Sequence, residues 1–321
     1  MHKAENLNMK GLMSIRAARA CALSKSGFTD AIEMTRQNDP QVSAYLEKSL
    51  VLGTGIGGMP LLSTDPIARE LGEYIFAQTL PGKLLAKAMQ MPFGAPLASI
   101  FGSGADWVKE GEAVPVTKGD TSTDKLMPYK IASVTVLNNE LLTLATTGAT
   151  LAIRNTMCTA AVRKIDSKFL SQDAAIEALS PAGVLTNADT ASDFADLLKK
   201  HTDNGNSLST SALVLPLSDT LALTEAQFKQ FELLGVCLIA SQYATKAAII
   251  DAANMIISIQ GALIDVSEEG SIEMDDAPSN NINDPKASKL FSLFQNNATA
   301  FRAVTYCSWK TIGKAVTVIS S

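Results

Sequence analysis

The sequence predicts an α+β fold, and three observations carry that prediction. In IASVTVL (131–137), Ala132, Val134 and Val136 alternate with Ile131, Ser133 and Thr135, the period-two pattern of a strand. From about Thr147 to Leu170, the residues Leu151, Cys158, Val162, Ile165 and Phe169 recur at helical spacing, which predicts a rod of roughly 36 Å. Beyond SPAGVL (Ser180–Leu185), short helix-like and strand-like stretches alternate: FADLLKKH, SALVLPLS, TLALTEAQFKQF, GVCLIAS, AAIIDAANMIISI and GSIEM.

Composition narrows the class further. The 321 residues suffice for one large domain or two ordinary ones. At 46% hydrophobic the chain has ample core material, yet only 18% of it is charged, below the usual quarter. Coverage by copies of itself would account for so sparsely charged a surface. A net charge of −5 argues against a general nucleic-acid binder. The charge is uneven: residues 1–25 hold Lys3, Lys10, Arg16, Arg19 and Lys25 against Glu5 alone. Cys21, Cys158, Cys237 and Cys307 are scattered without a C-x-x-C pair, which fits a reducing compartment. His2 and His201 are the only histidines, too few for a His-rich zinc site or a Ser-His-Asp triad. His201 sits in KKHTDNGN and is expected as a solvated loop residue. No apolar run approaches the ~18 residues of a membrane span, and MHKAENLNMKG lacks a signal-peptide core. The expectation is a soluble, intracellular protein with no metal, no cofactor and no membrane partner.

Taken in order, residues 10–36 read as short helices, with Thr29-Asp30 as a cap. VLGTGIGG (51–58) then places Gly53, Gly55 and Gly58 on the dinucleotide-binding spacing. The stretch before it, AYLEKSLVL, is helical in spacing rather than strand-like, and Pro60 and Pro66 forbid the helix that would hold a pyrophosphate. These glycines therefore read as a linker. Residues 66–90 are helix- or turn-like. Residues 100–130 are polar and turn-rich and lead into the 131–137 strand, which together predict an extended hairpin too poor in apolar residues to have its own core. On the long helix, Arg154, Arg163, Lys164 and Lys168 are expected on faces away from the apolar one. MDDAPSNNINDP closes the alternating section. The tail reads as strand material anchored by Phe291, Phe294, Phe301, Tyr306 and Trp309, returning to a sheet begun earlier.

This order of parts resembles the major capsid protein of tailed bacteriophages, the Hong-Kong-97 fold. Local motifs are similar as well: ADWVKEGEAVP (Ala105–Pro115) at the start of the extension loop, ASVTVLNNELL (Ala132–Leu142) before the spine helix, and Leu290–Ile319 as the closing segment. GTGIGGMPLLSTDP matches the family's Gly-rich passage from arm to shell domain. The resemblance implies an N-terminal arm and linker (1–60), then a peripheral domain (61–190) with E-loop 103–137 and spine helix 147–170. An axial domain (191–289) and C-terminal strands returning to the peripheral domain (290–321) follow. It implies a structural, non-enzymatic protein that self-assembles from hexamers and pentamers into an icosahedral head. That head encloses double-stranded DNA without sequence specificity, is assembled in the bacterial cytoplasm and ends in the virion. Portal, scaffold and decoration proteins are the further partners implied.

Subunit contacts are expected from Trp107, Lys109, Glu110, Glu112, Lys118, Asp120, Asp124, Lys125 and Lys130 in the hairpin, and from Arg302 and Trp309 in the tail, with ordinary core packing the equal alternative for the two tryptophans. Deleting the hairpin tip, roughly Val116–Met127, is expected to spare folding and impair assembly. The basic arm is expected to touch a neighbour or the genome, or to be a solvated end. Self-linking members use a loop lysine and an asparagine; here Gly111 and Val114 stand where that lysine is expected, so no cross-link is implied. Lys109 and Lys118 lie nearby, and Asn280, Asn281, Asn283, Asn296 and Asn297 read as turn residues. About 60 residues precede Leu61, which implies either a processed chain or a separate scaffold. An encapsulin-type container is the alternative reading, and a nicotinamide-dependent oxidoreductase a remote one.

Overall fold

The computed structural model describes residues 12–24, 28–52, 66–101, 120–144, 147–259, 261–273 and 290–320. The linker glycines Gly53, Gly55 and Gly58 lie outside them. The chain opens with α1 (Leu12–Leu23), α2 (Phe28–Asn38) and α3 (Pro40–Leu52). Pro40 suits the start of α3, where the missing N–H would be unpaired anyway. Helix α2 begins at Phe28, so Thr29 and Asp30 lie in its first turn instead of capping it from outside, with Asp30 at the positive end of the helix. Next come α4 (Pro66–Gln78) and α5 (Leu80–Leu84), the latter capped by Thr79, whose Oγ1 accepts from Gly82 N at 3.1 Å.

Strands β1 (Met89–Gln90), β2 (Pro96–Phe101), β3 (Asp120–Lys125) and β4 (Tyr129–Asn138) follow. β2 and β3 pair antiparallel from Pro96↔Lys125 to Phe101↔Asp120. Then come α6 (Asn139–Leu144) and the long helix α7 (Thr147–Phe169). The alternating section holds β5 (Asp189–Ala191), α8 (Phe194–Asp203), β6 (Ser211–Pro216), α9 (Leu217–Ala222), α10 (Glu225–Leu233) and β7 (Cys237–Ser241). β8 (Ala248–Asp251), β9 (Met255–Ile259), β10 (Leu263–Ser267) and β11 (Ser271–Glu273) complete it. The tail holds β12 (Leu290–Ser292), β13 (Ala298–Thr311) and β14 (Val316–Ile319).

The chain divides into two compact units. The first comprises Met1–Gln78, Ile131–Lys164 and Gln260–Tyr306. The described part of its basic opening segment is folded: Arg16 pairs with Asp39 at 3.1 Å, and Arg19 Nε donates to the Leu142 carbonyl at 3.2 Å. Ala17, Ala20, Ala31, Ile32, Val42 and Leu46 close the three-helix packing. Ile15, Ala18 and Ala22 of α1 meet Leu142, Ile153, Met157 and Phe301 in a second cluster. Here β10 and β13 pair antiparallel from Leu263↔Val304 to Ser267↔Ala300.

Helix α7 buries a broader face than the expected stripe, because Ile153, Met157 and Ala161 are buried along with Cys158, Ile165 and Phe169. Arg154, expected on another face, is 2% exposed. Its guanidinium carbon lies 4.3 Å from the Tyr74 ring centroid, and its Nε and Nη2 donate to Asn155 Oδ1 at 3.3 and 3.2 Å. Stacking and hydrogen bonds offset the desolvation of this charge.

The second unit comprises Thr79–Lys130, Ile165–Ile259 and Cys307–Ser321. Its centre is a five-stranded sheet in the order β5-β14-β8-β6-β7. β6 and β8 are buried at every position, as continuous apolar strands are when both faces are covered. Leu197 of α8 and Phe231 of α10 pack on Leu213, Leu215, Val236 and Ile249. The last strand, β14, lies between β5 (parallel) and β8 (antiparallel). Cys307–Thr311 of β13 pairs instead with β9. Past α7 the chain turns back through Gly183, whose N donates to Asp173 O at 3.0 Å. A Cβ at Gly183 would lie 1.9 Å from the Ser171 carbonyl oxygen, so only glycine fits.

Candidate subunit-contact surfaces

Of the sequence-predicted contact residues, Trp107, Lys109, Glu110, Glu112 and Lys118 lie outside the described residues, as do Gly111 and Val114. Asp120 and Asp124 are placed on the backbone of β3. Lys125 and Lys130 are exposed on either side of the turn into β4. Between them Leu126 is buried against Ile256, with Met91 and Ile312 beside it, and its carbonyl accepts from Gly94 N at 3.1 Å. The expectation that residues 116–127 add nothing apolar to a core is corrected at that residue: a tip deletion has to stop before Leu126.

In the tail, Arg302 is exposed and pairs with Asp265, directly opposite on β10, at 2.6 Å. Trp309 is buried within its own unit. Its Nε1 donates to the Ala182 carbonyl at 2.8 Å, and its ring meets Phe169 edge-on at 5.3 Å between centroids. Asn296 and Asn297 are turn residues: Asn296 Nδ2 donates to Ser292 O at 2.8 Å, and Asn297 has φ 47°. Asn280, Asn281 and Asn283 lie outside the described residues.

His201 is not in a solvated loop. It is the second buried residue of α8, four positions after Leu197 and on the same face, and it is fully buried. Ser211 Oγ spends its hydrogen on the Ser207 carbonyl at 2.6 Å, so it accepts at 2.8 Å from His201 Nε2. Asn206 Nδ2 donates to Lys314 O at 2.8 Å and faces His201 Nδ1 at 3.4 Å. Asn254 Nδ2 in turn bonds Asn206 Oδ1 at 3.0 Å and Asp251 Oδ2 at 2.9 Å. This network assigns a neutral Nε2–H imidazole. Burial pushes its pKa below the ordinary 6.5, and the charge of Asp251 opposes the shift. Every polar atom of the ring is engaged with structural groups of its own unit.

Sequence reasoning missed one surface. Leu217, Leu221, Phe228, Leu233 and Leu234, on and just after α9 and α10, are exposed, while Phe231 is the one buried residue of α10. A signal was present: in EAQFKQFELL the apolar residues fall on more than one helical face, and a core-facing helix needs only one.

No protein-family model matches the chain. The capsid polyprotein of Pseudomonas phage PAJU2 is 26% identical to it over 347 residues, covering 93% of this chain and 52% of the relative. The chain thus spans about half the length of that curated relative. A solved chain from Microbacterium phage Oxtober96 superposes with a TM-score of 0.51 at 13% identity, covering 74% of this chain and 90% of the other. One from Mycobacterium phage Bobi gives 0.50 at 15% identity, covering 74% and 89%. The chain has the Hong-Kong-97 capsid fold. That is the fold the motif resemblance implied. Helix α7 is the expected long helix, but the 131–137 strand is not an arm of the expected hairpin: β2 pairs with β3, while β4 pairs with β13.

Proposed function

We propose that this chain is the shell subunit of a tailed-phage head, in which copies of it form hexamers and pentamers around double-stranded DNA. The observation that carries the reading is the similarity to a phage capsid polyprotein along 93% of the chain, joined to the capsid fold. Physical features support it. A surface with few charges suits contact with many copies of itself, and a net charge of −5 suits a container that must not grip phosphates. Each contact in a closed shell can be weak, because its strength comes from repetition.

The role is structural, without catalytic turnover, and the assembled product resides in the virion after assembly in the bacterial cytoplasm. The β2–β3 hairpin, which ends at Lys125, serves as a contact element together with Lys130 on β4, and Arg302 with Asp265 presents a charged pair of small individual worth. Portal, scaffold and decoration proteins complete the proposed partners. The test is sedimentation and electron microscopy of the purified chain. Closed shells are the expected result, and DNA inside particles recovered from infected cells separates a phage head from a cargo container. A profile of monomers and dimers alone, under conditions where related heads assemble, overturns the reading.

A further inference from the structure

Asn-Gly occurs once in the chain, at Asn204-Gly205, where helix α8 ends. The pair has a chemistry of its own. Glycine carries no side chain to keep its amide nitrogen away from the carboxamide before it. That nitrogen, on losing its proton to water or hydroxide, attacks Asn204 Cγ. The Cγ–Nδ2 bond breaks, Nδ2 leaves as ammonia, and a succinimide ring remains. Water opens the ring at either carbonyl and leaves aspartate or isoaspartate. One water is consumed, one ammonia is released, and nothing is oxidised or reduced.

The fold holds both reacting groups. Gly205 N–H donates to Thr202 O at 2.9 Å, so its proton is engaged. Asn204 Nδ2 donates to Asp189 Oδ2 at 2.8 Å, which ties the carboxamide to β5. Asp189 is a charged acceptor, because its hydrogen bonds with Asn204 and Lys314 hold its carboxyl below the usual carboxylate range. Lys314 Nζ, just ahead of β14, grips both carboxylate oxygens at 3.1 Å. One residue past Gly205, Asn206 Nδ2 donates to the Lys314 carbonyl at 2.8 Å. Gly205 thus lies between two pinned residues, one tied to β5 and the other to the approach to β14. It is itself exposed, with φ 79°, so hydrogen bonds rather than burial restrain the reaction.

We propose that Asn204 is a deamidation site whose rate is set by the latch of Asp189 and Lys314, so that a chain whose β14 has not closed on β5 acquires the modification. The product reinforces the failure. An aspartate at 204 sets a carboxylate where Nδ2 faced Asp189, and the two like charges repel. Isoaspartate also adds a methylene carbon to the backbone at the helix end. The reaction therefore marks an open chain and hinders its later closure. The site lies within one compact unit and does not depend on the shell-subunit reading.

The full chain is aged in mildly alkaline buffer, with and without urea, and digested with trypsin. Mass spectrometry of the peptide from His201 to Lys229 reports Asn204 and, as an internal comparison, Asn206 before Ser207. Asn204 in the folded wild type is expected to react about tenfold or more slowly than in urea, each tenfold corresponding to ~1.4 kcal/mol. Equal rates overturn the proposal. Folded Asp189→Ala is expected to speed Asn204 by about tenfold, the worth of one hydrogen bond to a charged group, and to leave Asn206 at its folded rate. A variant as slow as wild type overturns the latch. If both asparagines speed up together, the variant has unfolded, and Lys314→Met decides, since that side chain is 64% exposed and Asp189 stays in place. Acceleration confined to Asn204 then supports the site, and none overturns it. Asn204→Asp, the product made genetically, is expected to lower the thermal midpoint; an unchanged midpoint overturns the reinforcement.

Discussion

Helices α1–α3 and the five-stranded sheet bury their interiors with different side chains. The helices close on Ala17, Ala20 and Ala31, with Ile32, Val42 and Leu46. The sheet closes on Leu213, Leu215, Phe231, Val236 and Ile249. Alanines let helix backbones approach closely, but each removes little apolar surface from water. Branched and aromatic residues remove more and interlock, so every methyl group has neighbours to lose. The two cores should therefore fail in opposite ways: the sheet by truncation, the helices by overfilling.

The largest expected effect is Leu213→Ala. This fully buried residue is expected to cost about 2–5 kcal/mol by urea unfolding of the isolated subunit, through lost burial and a cavity. Its mirror image, Ala31→Leu at another fully buried position, is expected to cost about 1–3 kcal/mol by overpacking. Should Leu213→Ala prove harmless or Ala31→Leu stabilising, the contrast between the cores collapses.

Acid and base should also act unequally, since the sheet unit holds two buried titratable groups whose effects on stability have opposite sign. Burial lowers the His201 pKa, so below pH 6.5 the unfolded chain binds the proton more readily than the folded one. Stability from His201 is present above pH 6.5 and falls as the pH drops through that value. Asp166 behaves inversely: burial raises its pKa from 3.8 to about 6, against the hydrogen bond from Leu80 N and the nearby charge of Lys83. Its folded state holds the proton more tightly, so stability falls as the pH rises from about 4 to 6. Thermal unfolding across pH 4–7 should show His201→Gln weakening the loss towards acid, and Asp166→Asn removing the fall between pH 4 and 6. Identical profiles for either variant and wild type would refute that assignment.

The smallest effect is expected at Thr317. Its hydroxyl is buried on β14 without a hydrogen-bond partner among the described residues. Thr317→Val removes that unpaired group at nearly constant shape and is expected to raise stability by about 1 kcal/mol. A loss of that size would mean the hydroxyl has a partner.

The fold was legible wherever period and composition agreed. The alternation of 131–137 emerged as part of β4, and the spacing over 147–170 emerged as α7. Legibility failed where a residue's partner is far along the chain. Arg154 looks like a surface cation until Tyr74 is placed under it, and His201 looks solvated because its neighbours KKH and TDNGN are polar. The position of β14 between β5 and β8 depends on pairing that no local pattern records. The exposure of the α9–α10 leucines was not legible, because apolar residues in a helix are usually buried and only the spread of their faces argues otherwise.

That placement of β14 also governs when a newly made subunit becomes complete. Asp189 at the start of β5 and Lys314 just before β14 are 125 residues apart. At roughly 5–20 residues per second, a ribosome needs about 6–25 s to cross that interval. Throughout it β5 has no strand to join, however quickly the helices form. A polypeptide broken off before Val316 keeps an unfinished sheet, with β5 and β8 both lacking the strand that joins them.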